Sequence, residues 1–151
     1  MAPACLDCRR FTKASIAVFI GFNVLEFLVH GLALRGVYHH PGYMILWNPE
    51  SVMNGRRWLA LLAYAVMSWV LVRVYAQGYE AEKAPLEQGL RCGALMGVFF
   101  AVYHASVDYM IYPVGLKLAL TWIAAGVLEM TILGGLASAF YRPEQDRSQP
   151  R

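Results

Sequence analysis

A chain of 151 residues is sized for one domain. Its 58% hydrophobic and 15% charged content departs from a soluble globular domain, which has about 45–50% apolar and about 25% charged residues, so composition points to lipid. The net charge of +3, with Lys and Arg scattered between apolar runs, excludes the basic patch of a nucleic-acid binder.

The chain opens on a polar segment, 1–13, that holds Cys5 and Cys8 as a C-x-x-C. A structural zinc site needs four ligands and this pair supplies two, with Cys92 far off and alone. The segment reads as a reduced cytosolic tail. About 20 apolar residues cross about 30 Å of hydrocarbon. Four runs reach that length, at residues 14–34, 58–76, 90–112 and 116–141, and they predict an all-α, four-helix transmembrane bundle. The first is too long for the apolar core of a signal peptide and carries Asn23, Glu26 and His30, so it reads as a retained helix. Between the first two runs, Tyr38, Tyr43 and Trp47 with Pro41, Gly42 and Pro49 suit an interfacial loop, with a short helix starting near Glu50 or Ser51. Arg73, near the end of the second run, snorkels to the interface in this reading. Residues 78–88 form a charged loop, and Pro113 with Gly115 forces a tight turn that makes the last two spans an antiparallel hairpin. Residues 142–151 read as a polar tail.

Four spans put both termini on one side. That side holds nine Lys and Arg residues (Arg9, Arg10, Lys13, Arg73, Lys83, Arg91, Arg142, Arg147, Arg151) and the other four (Arg35, Arg56, Arg57, Lys117), which predicts cytoplasmic termini. Small residues at Gly93, Gly97 and Ala101 in the third span, and at Gly126, Gly134, Gly135, Ala137 and Ser138 in the fourth, predict close helix packing.

Ionisable groups are the chemistry-bearing exception. Near mid-bilayer each costs from about 2.5 kcal/mol upward, yet the spans carry Glu26, His30, His104, Asp108 and Glu129. Glu26 with His30, and His104 with Asp108, are spaced four apart and share a helical face. The small-residue row of the third span leads up to His104 and Asp108, which predicts that they point into the bundle. Glu26 lies 13 residues from Lys13, His104 13 from Arg91 and Glu129 13 from Arg142. At about 1.5 Å per residue all three sit about 20 Å from the inner rim, in the outer half of the membrane. His30 and Asp108 lie one turn further out.

Three readings stay open. The acids and histidines pair to hold helices in register; the five together bind a divalent cation, for which imidazole and carboxylate suit zinc, iron, manganese or nickel; or they carry protons. His30 and His104 could also ligate a b-type haem as an electron carrier. His39 and His40 read as polar loop residues, or as an outer metal-collecting pair. A faint duplication adds to this: His30 precedes Tyr38 by eight residues and His104 precedes Tyr112 by eight, each followed by Pro and Gly.

His30-Gly31-Leu32, Gly36, Tyr38, Leu46-Trp47-Asn48-Pro49-Glu50 and Met53, with Tyr112-Pro113, Trp122, Gly126, Glu129 and Tyr141-Arg142-Pro143, resemble a group of small four-span bacterial inner-membrane proteins of unassigned activity. The resemblance implies a bacterial cytoplasmic membrane and no reaction. No nucleophile elbow, phosphate-binding loop or zinc-protease helix occurs. The expectation is a non-enzymatic membrane protein with a buried acid and histidine site, Glu26, His30, His104, Asp108 and Glu129, for a small cation or protons. The alternatives are an accessory subunit of a larger membrane complex, a homo-oligomer, or a haem carrier.

Overall fold

In the computed structural model, which describes residues 7–40 and 50–142, helix α1 spans Cys8–Glu26. It starts ahead of the apolar run because Asp7 caps it: its Oδ1 accepts from the backbone N–H groups of Arg9 and Arg10, both at 3.1 Å. The expectations for Cys5, for residues 41–49 of the outer segment and for the tail beyond Arg142 lie outside the described residues.

At Phe27 the helix widens into a π-helical segment, Phe27–Ala33, closed by the Leu34 N–H on the Val29 carbonyl at 2.8 Å. A π segment of this length is rare and such segments cluster at functional sites. A short helix α2, Arg35–Tyr38, follows. Helix α3, Glu50–Gln77, runs unbroken for 28 residues. The separate interfacial helix expected near residue 50 is therefore the first turns of the span itself, since no proline interrupts residues 50–77.

The loop to the next helix is closed by Gln88: its Oε1 accepts from the Glu80 N–H at 2.8 Å, and its Nε2 donates to the carbonyls of Glu80 and Lys83 at 2.9 and 3.0 Å. Helix α4, Pro85–Ile111, has its proline in the first turn, where no intrahelical donor is lost. Tyr112 is extended, and α5, Leu116–Phe140, returns antiparallel. The chain is thus all-α, with four helices long and apolar enough to span a membrane.

Helix α5 is the hub. α1 and α4 both pack on it, while α1 and α4 share no substantial interface. Ala14, Val18 and Phe22 of α1, Leu71, Val72 and Tyr75 of α3, and Met130, Leu133, Ala137 and Tyr141 on and just after α5 form the core. The α4–α5 contact is the closest. A Cβ on Gly93 would collide with the Met130 carbonyl oxygen, one on Gly134 with the Gly89 carbonyl oxygen, and one on Gly97 would stand 2.9 Å from Val127 Cα. Hydrophobic driving force between helices is weak in lipid, so backbone approach of this kind supplies the attraction. Arg10 Nη1 donates to the Arg142 carbonyl at 2.6 Å, tying the first turn of α1 to the residues just after α5.

Candidate functional site

The polar residues gather where α1, its π segment, α2, α3 and α5 meet. Glu26 closes α1, and His30 lies one turn on, inside the π segment. Their side chains are half-buried, with Nε2 of His30 3.8 Å from Oε2 of Glu26. That is ion-pair range but too long for a direct hydrogen bond. On its other side, His30 Nδ1 meets the Tyr38 hydroxyl at 2.6 Å, and the two rings stack with planes 3° apart. The same hydroxyl accepts from the indole Nε1 of Trp122 on α5 at 2.8 Å.

These contacts define one proton arrangement. An indole N–H only donates, so the Tyr38 oxygen accepts from Trp122, and its own proton can point to Nδ1 of His30. A neutral imidazole then carries its proton on Nε2, facing Glu26. Burial, and the charges of Glu26 and Glu129, hold the Tyr38 phenol above its ordinary range against the opposing effect of the Trp122 bond. Tyr38 therefore remains an O–H donor at any physiological pH.

Glu129 completes the group from α5. Its residue is 6% exposed, and its Oε1 is buried with no hydrogen-bond partner among the described residues. Glu26 is the charge that acts on it. Tyr64 of α3 closes the remaining side. Its ring stacks on Phe22 at 5.0 Å, and its hydroxyl faces Glu26 closely enough to interact with it. A carboxyl in such a place is carried with a proton or beside a cation.

Of the five residues singled out in the sequence, Glu26, His30 and Glu129 belong to this one region. His104 and Asp108 do not join them. They pair with each other, Nδ1 to Oδ2 at 2.9 Å, and His104 is 79% exposed against 21% for Asp108. The expectation that both point into the bundle thus fails for His104. The row Gly89, Gly93, Gly97, Ala105 is buried at intervals of four or eight. Four residues advance about 40° past a full turn, so the contact stripe winds around α4 and leaves His104 about 100° from Ala105. Moreover α5 stands between α4 and α1. No three of the His, Cys, Asp and Glu side chains among the described residues come close enough to hold one metal ion. The two histidines proposed as haem ligands are engaged on their own spans, His30 with Tyr38 and His104 with Asp108. His39 binds the Arg35 carbonyl through Nδ1 at 2.8 Å.

Sequence reasoning gave Tyr64 no role and named Trp122 only among the residues that carry the resemblance, since neither bears a charge. The sequence tied Tyr38 to His30 only through a spacing of eight, and that spacing is a contact: the π segment and the bend at Leu34 fold α2 back onto His30. The corresponding pair in α4 shows no such fold, since α4 stays helical to Ile111. The fold is a set of four helices long and apolar enough to span a membrane, carrying a partly buried acid, imidazole and phenol cluster. No protein-family model, curated protein or solved structure matches the chain, so its function is argued from that cluster.

Proposed function

We propose that the protein is a non-enzymatic, multi-pass component of a bacterial cytoplasmic membrane, with both termini in the cytoplasm, whose Glu26, His30 and Glu129 cluster binds or passes protons or a small cation. The observation that carries this reading is Glu129: a buried carboxyl with an unpartnered oxygen, beside a second carboxyl that is linked through His30 to the Tyr38 hydroxyl. Ionisable residues inside a bundle mark ion or proton pathways by default. Protons are favoured over a metal because His30 stands in series between Glu26 and Tyr38, and no three ligating side chains converge among the described residues. Transfer would run from the Tyr38 hydroxyl to Nδ1 of His30 as Nε2 gives its proton to the Glu26 carboxylate and on toward Glu129, with the Tyr38 oxygen taking up a new proton from the outer side. The inside orientation rests on the nine-to-four distribution of Lys and Arg.

The test is flux. Protein in liposomes with an entrapped pH-sensitive dye should collapse an imposed pH gradient faster than empty liposomes, and Glu129→Gln should abolish the excess. Equal rates for wild type, Glu129→Gln and Glu26→Gln would end the proton reading. Metal content unchanged across the same variants would end the cation reading.

A second reading has its own observation. His104, Phe99, Tyr103 and Met110 lie exposed on one stretch of α4, and an imidazole facing hydrocarbon is costly. An accessory subunit or homo-oligomer would cover that stretch. A partner co-purifying at fixed ratio, and lost in His104→Leu, would favour it.

A further inference from the structure

We infer that the groove between α1 and α3, at the end of the bundle where Arg10 meets Arg142, is a binding site for one anionic phospholipid, with its phosphate on Arg73 and an acyl chain running toward Phe19 and Ala65. The groove has a volume of about 560 Å³. Its polarity changes along the helix axes. Ala65, Trp69 and Arg73 follow one another at intervals of four on α3, so Arg73 sits about 12 Å nearer the membrane edge than Ala65. On α1 the wall changes in the same sense, from Thr12 and Ser15 near the edge to Ile16 and Phe19 deeper in. Phe11 meets Trp69 edge-on at 6.1 Å and gives the groove an aromatic rim.

Charge selects the headgroup. Two acidic side chains of that end are already engaged, Asp7 by Arg10 at 3.1 Å and Glu80 by Lys83 at 2.7 Å. Arg73 makes no hydrogen bond or ion pair with any described residue, and its charge reaches Tyr141. A guanidinium is a planar donor fork suited to phosphate. Ser15 lines the groove, and its hydroxyl, buried at the groove wall, has no hydrogen-bond partner among the described residues. An amphipath with an anionic head and an apolar tail matches each end of the groove, whereas a transmembrane helix of a partner would bury Arg73 against apolar side chains.

Native mass spectrometry of the full chain, loaded with an equimolar mixture of phosphatidylglycerol and phosphatidylcholine, tests this. One phosphatidylglycerol should be retained in at least fivefold preference. Arg73→Gln should reduce that preference to near unity with an unchanged melting temperature, and Ala65→Trp, which fills the apolar end, should lower retention of both lipids at least threefold. Millimolar inorganic phosphate should not displace the lipid, because the tail holds it. Equal retention of the two lipids by wild type, a preference that survives in both variants, or displacement by phosphate alone would overturn the proposal.

Discussion

Replacing Gly93 by alanine adds one methyl group at the tightest point of the α4–α5 contact. That Cβ would overlap the carbonyl oxygen of Met130 and stand 3.0 Å from Thr131 Cα, and both are backbone atoms that no rotamer change can move aside. Gly134 meets the reverse problem, with Gly93 Cα and N each 2.8 Å from its would-be Cβ. The helices must separate, and overpacking of this kind costs about 1–3 kcal/mol. Alanine also gains roughly 1 kcal/mol of helix propensity over glycine in water, which masks part of the loss. Gly55→Ala is the matched control, because a Cβ there meets nothing within 4 Å. Titration of both variants with SDS in mixed micelles, followed by tryptophan fluorescence, should place Gly93→Ala about 2 kcal/mol below Gly55→Ala, roughly a 30-fold change in the folding equilibrium. Equal midpoints would refute the close backbone approach, and with it the packing of α4.

Further outcomes follow from the polar cluster and its surroundings. Tyr38→Phe removes the hydroxyl shared by His30 Nδ1 and Trp122 Nε1 and should lower stability by about 1–3 kcal/mol with a shift in tryptophan emission; an unshifted spectrum would mean that the indole has another partner. Glu129→Leu should leave the melting temperature unchanged or raise it, because an apolar replacement of a poorly satisfied buried acid is often neutral or stabilising, so a large drop would show that the carboxyl is paired. Gln88→Ala should speed hydrogen exchange at the Glu80 amide while costing under about 1 kcal/mol, as expected of an exposed loop clamp; unchanged exchange would count against the clamp. His104→Leu should leave proton flux intact, since His104 stands on the far side of α5 from Glu26, and lost flux in a monomer would count against the cluster as drawn.

The sequence fixes neighbours where geometry is local. Glu26 and His30, four apart, share a face whether or not the helix is regular. Equal counts of 13 residues from Lys13 and Arg142 predict one height for Glu26 and Glu129, and their helices, α1 and α5, pack against each other. The same count also put His104 at that height, but height says nothing of direction. Direction around α4 depends on how its small-residue stripe winds, and that depends on the crossing with α5.

The sequence by itself determined four apolar helices, the tight turn at Pro113 and Gly115, and glycines at the α4–α5 contact, because span length, proline and missing side chains act through the backbone alone. Only the tertiary structure decided the partners. It set α5 between α1 and α4, separating two acid and histidine pairs that look equivalent as letters. It also folded α2 back through a π segment so that Tyr38 and Trp122 reach His30. Which helix neighbours which is settled by the total packing of four faces, and no single span carries that information.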